Sequence, residues 1–331
     1  MRFMPGDDMT TGHDYRLFIL AGEASGDRLG AGLLAALKNH ASFLLQGVGG
    51  EAMAEQGLAS LFPMTDLAVM GYVDVVRRLP LLLWRVRQVI DATMRFDPDL
   101  VVLVDAQVFS KLVARGLRKR GFGKPILLYS GPTVWAHKPE RARAIRPLYD
   151  EVMALFPFEP AVMENLGGPA CSFVGHPAFG EKRAAFGERE ELFLLMPGSR
   201  VGELRRHMGM FGQIAGQLHI WYPEQKFVLP TLGHIEARVR REVENWPVDV
   251  RVVTSRPDRE RAFMRAKAAL TVAGTATLEL CAAGVPMVST YVMDAAMKQI
   301  EKRLDLKFFS LPNLILDRPL VPERLLDRPR P

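Results

Sequence analysis

A short polar loop, Pro197-Gly198-Ser199-Arg200, follows the apolar run 192–196 and precedes an amphipathic stretch. An apolar run that stops at Pro-Gly is typical of a buried parallel strand. The loop presents backbone N–H groups and one guanidinium at the start of the next helix, where the helix dipole favours negative charge. The segment predicts an anion site, although an ordinary strand-to-helix turn with a surface arginine explains it equally well on its own.

A carboxylate follows another apolar run. Asp105 comes directly after residues 100–104, which predict a buried strand. Ligands of open α/β sheets bind beyond the carboxyl ends of the strands, so Asp105 is well placed to act as a general base. The alternative is a cap on the predicted helix 108–120, and this segment alone favours the cap.

A third strand-loop-helix segment lies near the start of the chain. The predicted strand 17–21 is followed by Gly22-Glu23-Ala24-Ser25-Gly26-Asp27 and by leucines at helical spacing. Small residues allow a ligand to approach the backbone, but the dinucleotide fingerprint G-x-G-x-x-G is absent here. A helix cap is the simpler explanation for Ser25 or Asp27 taken alone.

The second half of the chain repeats the pattern with a predicted strand at 269–272. Ala273-Gly274-Thr275 follows it and opens a helix that we expect to stop at Gly284. We place Glu279 on the second turn of this helix, where its carboxylate is able to bind two adjacent sugar hydroxyls. A surface glutamate near a helix start is the simpler interpretation.

Composition narrows the class of protein. The chain has 331 residues, 48% hydrophobic and 24% charged, which is typical of globular proteins and long enough for two domains. Its formal net charge of +6 favours anionic partners. Cys171 and Cys281 have no metal or redox spacing, so we interpret them as buried, reduced thiols of a cytosolic protein. No signal peptide is recognisable at the N-terminus, and no apolar run is long enough to span a bilayer.

One predicted helix has two possible partners. It starts near Pro80 in this interpretation, with Leu81 and Trp84 pointing outward among arginines. Such a face suits the boundary between lipid headgroups and acyl chains, whereas a neighbouring loop that covers it is the alternative. The residues expected to pack inward are Leu79, Leu83, Val86 and Ile90.

The remaining apolar runs complete an alternation of strands and helices. Gly175-His176-Pro177 and the polar stretch up to residue 191 predict a hinge. Zinc patterns, a P-loop, a hydrolase elbow and RNA-binding aromatic motifs are absent, so nucleic-acid binding has only net charge to support it. The further strands are predicted at 43–48, 125–129, 152–155, 172–174, 225–229, 250–253 and 287–291.

Taken together, these segments resemble the lipid-A-disaccharide synthases, glycosyltransferases that join two acylated glucosamines in outer-membrane lipid synthesis. The matching segments occur in the family's order over nearly the whole chain. They are 21–27, 67–71, Asp105-Ala106, 130–136, 155–159, 174–177, 197–200 with Glu203, 274–279 and 310–314.

The resemblance implies an α/β protein of the GT-B type, with two Rossmann-like, doubly wound domains facing a cleft and neither a metal nor another cofactor. It implies an acceptor-binding, membrane-facing domain at 1–177 and a domain that binds a UDP-sugar at 178–331. The implied substrates are UDP-2,3-diacylglucosamine and 2,3-diacylglucosamine 1-phosphate, and the products are lipid A disaccharide 1-phosphate and UDP. The implied location is the cytoplasmic face of the inner membrane, with a possible homodimer and no nucleic-acid partner.

Individual residues take their expected roles from the resemblance. Asp105 matches the family's essential aspartate and would accept the proton of the acceptor's 6-hydroxyl, and Arg200 would stabilise the leaving diphosphate. Leu81 and Trp84 would belong to the membrane-facing patch. The implied substrate-binding residues are Gly22, Glu23, Ser25, Gly26, Asp27, Ser199, Gly274, Thr275, Glu279 (for the ribose hydroxyls) and Asn313.

Four departures from the family pattern leave other hypotheses open. Gln107-Val108 replaces Pro-Asp, His137-Lys138 replaces Trp and a basic residue, and Ala273 replaces Ser. The sequence stops at Pro331, so we expect the C-terminal crossover helices to be missing. The alternative functions are a degenerate, non-catalytic relative that binds nucleotide or acyl-sugar, and a GT-B enzyme with another acceptor or an epimerase activity.

Overall fold

The computed structural model describes residues 15–67, 72–135, 138–180, 188–293 and 307–329, and the structural statements below concern these residues. By contacts within the chain, two compact units are distinguished, Met1–Pro177 and Ala178–Pro331. Each unit contains one sheet of six parallel strands.

The sheet of the first unit is apolar on both of its faces. In the strand nearest the N-terminus, Phe18 and Leu20 join one core cluster, whereas Leu17 and Ile19 join another. This is the pattern of a parallel sheet that helices cover on both sides. The strands are β1 (Tyr15–Ala21), β2 (Phe43–Val48), β3 (Leu100–Val104), β4 (Ile126–Tyr129), β5 (Glu151–Ala154) and β6 (Ala170–Phe173), in the order β2-β1-β3-β4-β5-β6.

The helices of the first unit connect these strands. The amphipathic helix that follows β3 is representative, because Phe109, Val113 and Leu117 are buried against the core at helical spacing. A 3₁₀ turn covers Met64–Leu67. The helices are α1 (Ala24–Leu37), α2 (Glu51–Glu55), α3 (Tyr72–Phe96), α4 (Gln107–Lys119), α5 (Glu140–Ile145), α6 (Glu159–Asn165) and α7 (Pro177–Gly180), the last of which crosses the boundary between the units.

The second unit repeats the architecture. Leu194 and Met196 of its first strand face one core cluster, and Leu195 faces another. Its strands are β7 (Glu190–Met196), β8 (Lys226–Pro230), β9 (Val250–Val253), β10 (Ala266–Val272), β11 (Met287–Val292) and β12 (Glu323–Leu326), in the order β12-β11-β10-β7-β8-β9. Its helices are α8 (Val201–Trp221), α9 (Gly233–Val243), α10 (Arg256–Arg265), α11 (Ala276–Ala282) and α12 (Leu311–Leu316).

Helix α3 differs from its prediction. It begins at Tyr72, so the prediction of a start near Pro80 is wrong, and Pro80 lies in its interior. Leu79 and Leu83, which were expected to pack inward, are 45% and 51% exposed. Val86 and Ile90 are buried, as predicted, and Leu82, Val89 and Thr93 face the core with them.

The physical reason is the phase of the helix. Leu82, Val86 and Val89 follow the i, i+4, i+7 spacing of one face. Leu83 is rotated by roughly 100° from that face, because a helix has about 3.6 residues per turn. None of the described helices combines the length and the apolar character that crossing a bilayer requires.

Candidate functional site

The strand order creates one reversal point in each sheet. In the first unit the chain runs from β1 outward to β2 and then returns to β3 on the other side of β1. In the second unit it runs from β7 through β8 and β9 and returns to β10 on the other side of β7. Ligands of doubly wound sheets bind beyond the carboxyl ends of the strands at such points. The loops that follow β1, β3, β7 and β10 are therefore the candidate site segments.

Asp105 lies at the reversal point of the first unit. Ala21 and Val104 pair in register, so the loops that begin at Gly22 and Asp105 leave the sheet side by side. Asp105 and Ala106 are both left-handed, with φ of 49° and 46°. Two consecutive non-glycine residues in this conformation store strain of roughly 1–2 kcal/mol each.

The carboxylate of Asp105 is held by contacts on two sides. The Ser25 hydroxyl and the Ala106 backbone N–H donate to it, and both bonds lower its pKa. Burial outweighs them and raises the pKa of Asp105 above its ordinary value. Ala106, and not Asp105, is the residue that precedes α4. The Asp105 carboxylate bonds the N–H of Ala106 and does not cap the helix. A fixed, partly desolvated carboxylate with a raised pKa is suited to accepting a proton.

The glycines of the first loop allow this close approach. A Cβ on Gly22 would lie 2.6 Å from Cβ of Ala106, and one on Gly26 would lie 3.4 Å from the carbonyl oxygen of Val104. The structure thus brings Gly22, Ser25 and Gly26 against the Asp105 loop. Glu23 is the exposed residue that precedes α1.

Asp27 has a different task. Its carboxylate accepts backbone N–H bonds of 2.7 Å from Gly50, 3.0 Å from Ala52 and 3.2 Å from Met53. It is 5% exposed and therefore caps α2, a helix distant in sequence. Asp27 therefore caps α2 and not its own helix, and its expected role in substrate binding stays a prediction.

Gln107, one of the departures from the family pattern, lies at the same end of the sheet as Asp105. Its Nε2 donates to the carbonyl of Gly131 at 3.4 Å, and its Oε1 accepts from Nη2 of Arg141 at 2.9 Å. The next residue, Val108, is 73% exposed. His137, another departure, lies outside the described residues, as do residues 68–71 of the matching segment 67–71.

The Arg200 loop lies at the reversal point of the second unit. Met196 pairs with Thr271, so the loops after β7 and β10 leave that sheet as neighbours. Glu203 accepts N–H bonds from Ser199 at 3.0 Å and from Arg200 at 3.2 Å. These two amides were expected to be free for an anion, and the structure shows that they are engaged. The side chain of Arg200 is 84% exposed and lies 3.5 Å from Glu203.

A buried histidine fixes the helix behind this loop. His207 is fully buried, and its Nε2 accepts the Val292 N–H at 2.9 Å. Its Nδ1 therefore carries the proton and donates to the carbonyl of Glu203 at 2.8 Å. Burial lowers the pKa of His207, which favours this neutral form. Helix α8 is thereby attached to β11.

The loop after β10 contains the other predicted residues. Gly274 has a φ of 152°, and a Cβ at this position would meet open space. Thr275 is exposed, and the hydroxyl of Thr277 bonds the Gly274 carbonyl at 2.7 Å. Glu279 lies on the first turn of α11, so its predicted place on the second turn is wrong. Its carboxylate forms an ion pair with Arg259 at 3.7 Å.

The side chain of Asn313 forms hydrogen bonds within the second unit. Its amide nitrogen donates to the carbonyl of Val321 at 2.8 Å and to Glu323 at 2.6 Å, and its oxygen accepts from the Val321 N–H at 2.8 Å. Glu323 also accepts from the Phe309 and Ser310 amides. With 1% of its surface exposed, Asn313 uses its side chain to position β12 beside β11, and its expected place at the donor site stays a prediction.

The outward face of α3 differs in composition from its prediction. Trp84 is 55% exposed as expected, whereas Leu81, which was expected to point outward, is half-buried. Leu79 and Leu83 are the exposed leucines of this helix, at 45% and 51%. The guanidinium of Arg85 lies 4.3 Å from the centre of the Trp84 ring. We call Leu79, Leu83 and Trp84 the α3 patch.

Sequence reasoning missed the structural importance of three polar residues. Glu203 and His207 hold the Arg200 loop, and Glu159 accepts the Leu155 and Phe156 amides in the first unit. The spacing of Glu203, three residues after the residue that precedes its helix, is a capping signal. Cys171 and Cys281 are free and half-buried rather than buried. In the described ranges, no three His, Cys, Asp or Glu side chains are grouped to hold a metal ion.

Comparison with known proteins places the chain in a family. The family model described as Lipid-A-disaccharide synthetase matches residues 17–330. A lipid-A-disaccharide synthase of Nitrobacter winogradskyi is 40% identical over 96% of this chain and 84% of its own length. One from Rhodopseudomonas palustris is 41% identical over 97% of this chain and 84% of its own length.

Among solved structures, the S. aureus MnaA-UDP co-structure is similar, with a TM-score of 0.63 over 92% of this chain and 86% of that one. Its sequence identity of 12% supports the fold alone. The predicted α/β fold of two Rossmann-like units of the GT-B type is confirmed. The chain belongs to the lipid-A-disaccharide synthase family, glycosyltransferases of lipid A biosynthesis.

Proposed function

We propose that the protein transfers 2,3-diacylglucosamine from its UDP derivative to the 6-hydroxyl of 2,3-diacylglucosamine 1-phosphate. The first unit binds the acceptor, and the second unit binds the UDP-sugar donor. The observation that carries the proposal is Asp105, a carboxylate with a raised pKa at the reversal point of a doubly wound sheet.

The reaction is an inverting displacement. The acceptor's 6-oxygen attacks the anomeric carbon of the donor, and the bond between that carbon and the diphosphate oxygen breaks as the new glycosidic bond forms. Asp105 accepts the hydroxyl proton, which is general-base assistance worth about 10²- to 10⁴-fold in rate. The Ser25 hydroxyl keeps the carboxylate oriented for this transfer.

Arg200 stabilises the leaving UDP. Its exposed guanidinium is able to reach a diphosphate, and the α8 N-terminus behind it favours negative charge. Glu203 contributes by holding the loop, while Gly274 leaves space for the ligand. Glu279, on the first turn of the adjacent helix, binds the ribose hydroxyls.

The decisive experiment replaces Asp105 by Asn and supplies both acylated substrates. We expect disaccharide formation to fall by about 10²- to 10⁴-fold, because Asn accepts no proton at neutral pH. UDP affinity, measured by calorimetry, should stay unchanged. Wild-type protein that binds UDP but forms no disaccharide would contradict the proposed reaction.

The acylated substrates call for contact with a lipid surface, and we assign this contact to the α3 patch. Its exposed leucines and Trp84 stand among arginines, a composition that suits the membrane interface. Trp84→Glu should weaken binding to vesicles of anionic phospholipid by about ten-fold. Ile220→Glu, at a 76% exposed position of the second unit, is the matched control and should bind as wild type does.

A further inference from the structure

The guanidinium of Arg141 is hydrogen-bonded to a neutral side chain, that of Gln107. Its Nη2 donates to the side-chain oxygen of Gln107 at 2.9 Å. Among the residues that the structure describes, no carboxylate forms an ion pair with it. Other basic residues of this unit do have such partners, as Arg85 has in Asp66 and Arg118 in Asp150. A half-buried guanidinium without a counter-charge favours an anionic ligand.

Gln107 places this cation at the edge of the sheet where Asp105 lies. It is the first residue of α4 and stands two positions after Asp105. Its two amide atoms bind Arg141 on one side and the Gly131 carbonyl after β4 on the other. The Asp105 carboxylate bonds Ser25, on the β1 side of the same edge. The Asp105 carboxylate thus follows β3, and Arg141 of α5 is bonded to Gln107, two residues further along the same segment.

We infer that Arg141, positioned by Gln107, binds the phosphate of the acceptor and makes the enzyme select a phosphorylated sugar. This inference rests on the proposed function. In a hexose 1-phosphate, the 6-hydroxyl and the phosphate flank the ring oxygen, so one sugar ring offers a proton to Asp105 and an anion to Arg141. Arginine suits phosphate because its planar fork donates two parallel hydrogen bonds.

The test compares two acceptors, 2,3-diacylglucosamine 1-phosphate and its dephosphorylated form, by their kcat/KM ratio. Wild-type protein should prefer the phosphorylated acceptor. Arg141→Gln should raise the KM for that acceptor by about 10- to 100-fold, the value of a charged hydrogen bond, and abolish the preference. The KM for the UDP-sugar should not change, which also shows that the variant is folded.

Two further variants sharpen the test. Gln107→Glu gives Arg141 a carboxylate partner that competes with the phosphate, so it should also reduce the preference. Arg143→Gln removes an exposed arginine from the same helix and should behave as wild type does. Turnover with an unchanged preference in Arg141→Gln would overturn this inference alone. Wild-type protein that turns over neither acceptor would overturn the proposed function as well.

Discussion

Each of the two sheets has a reversal point at its carboxyl edge, but the loops at these two points present opposite chemistry. At the reversal point of the first sheet, Asp105 is left-handed, partly desolvated and bonded by Ser25 and its own neighbour. At the reversal point of the second, Arg200 has an extended backbone and an 84% exposed side chain. A general base requires a fixed position and a tuned pKa, whereas a group that meets a diphosphate requires reach and permanent charge.

Both edges depend on acidic residues whose carboxylates bind backbone amides. Asp27 accepts three amides at the start of α2, and Glu203 accepts two in the loop before α8. Such carboxylates resemble ligand-binding residues in a sequence, because both kinds are polar and lie in loops. The structure distinguishes them by the number of backbone amides that they bind, which is three for Asp27 and two for Glu203 but one for Asp105.

The contrast between the edges is tested most severely at Arg200. Arg200→Gln should lower kcat by about 10²- to 10³-fold, the typical cost of losing a group that stabilises the leaving charge. UDP binding should weaken in this variant, whereas Asp105→Asn should retain it. Steady-state kinetics together with calorimetry measures both effects. Equal loss of UDP affinity in the two variants would show that the division of roles is wrong.

Glu203 and Glu159, which each bind two backbone amides, offer a matched pair of substitutions. Glu203→Gln and Glu159→Gln each weaken charged bonds to two backbone amides, so each should reduce the free energy of unfolding by about 1–3 kcal/mol. Chemical denaturation measures this loss. Of the two variants, only Glu203→Gln should also raise the KM for the UDP-sugar, because Glu203 contacts the Arg200 loop and Glu159 lies in the other unit. A similar rise in Glu159→Gln would remove the distinction.

The pH dependence examines the first edge alone. A general base works only when deprotonated, so kcat/KM should fall as the pH drops through the raised pKa of Asp105. Ser25→Ala removes a bond that lowers this pKa, so the acid limb of the profile should move to higher pH. Arg200→Lys should leave the limb in place. An unmoved limb in Ser25→Ala would exclude Asp105 as the group that titrates.

The smallest expected effect concerns backbone strain. Ala106 has a left-handed conformation, which glycine adopts without a steric penalty. Ala106→Gly should therefore raise the free energy of unfolding by up to about 1 kcal/mol, as thermal denaturation would measure. Gly274→Ala, at a φ of 152° in the second unit, should have the opposite sign. Stabilisation by both substitutions would contradict the strain at these positions.

Much of the fold can be predicted from the local sequence. The bounds of β2, β3 and β9 were predicted correctly, because each is an apolar run between polar or turn-forming residues. Strand β12 was not predicted. Its sequence Glu-Arg-Leu-Leu has no strand pattern, and it becomes a strand by pairing with β11 while Glu323 binds the amides of Phe309 and Ser310.

The sequence indicates where the candidate site residues lie, but it does not indicate which hydrogen bonds their side chains form. The strand-end rule indicates where Asp105 and Arg200 lie, since Asp105 directly follows β3 and Arg200 lies in the short loop between β7 and α8. The cap that Asp27 forms on α2 and the bonds between Asn313 and Val321 join segments that local patterns do not connect. The exposure of Leu83 depends on the phase of α3 relative to the sheet, which a short apolar stretch determines poorly.

The bonds that Glu203 forms with the Arg200 loop have a consequence for the thermodynamics of UDP-sugar binding. The bonds to the Ser199 and Arg200 amides are made by the chain's own carboxylate, which holds the main chain of the loop in one shape. Only the long side chain of Arg200 then loses freedom, which costs no more than about 2 kcal/mol of conformational entropy. In the proposed reaction, nucleotide capture by this loop is therefore closer to docking on a rigid template than to coupled folding.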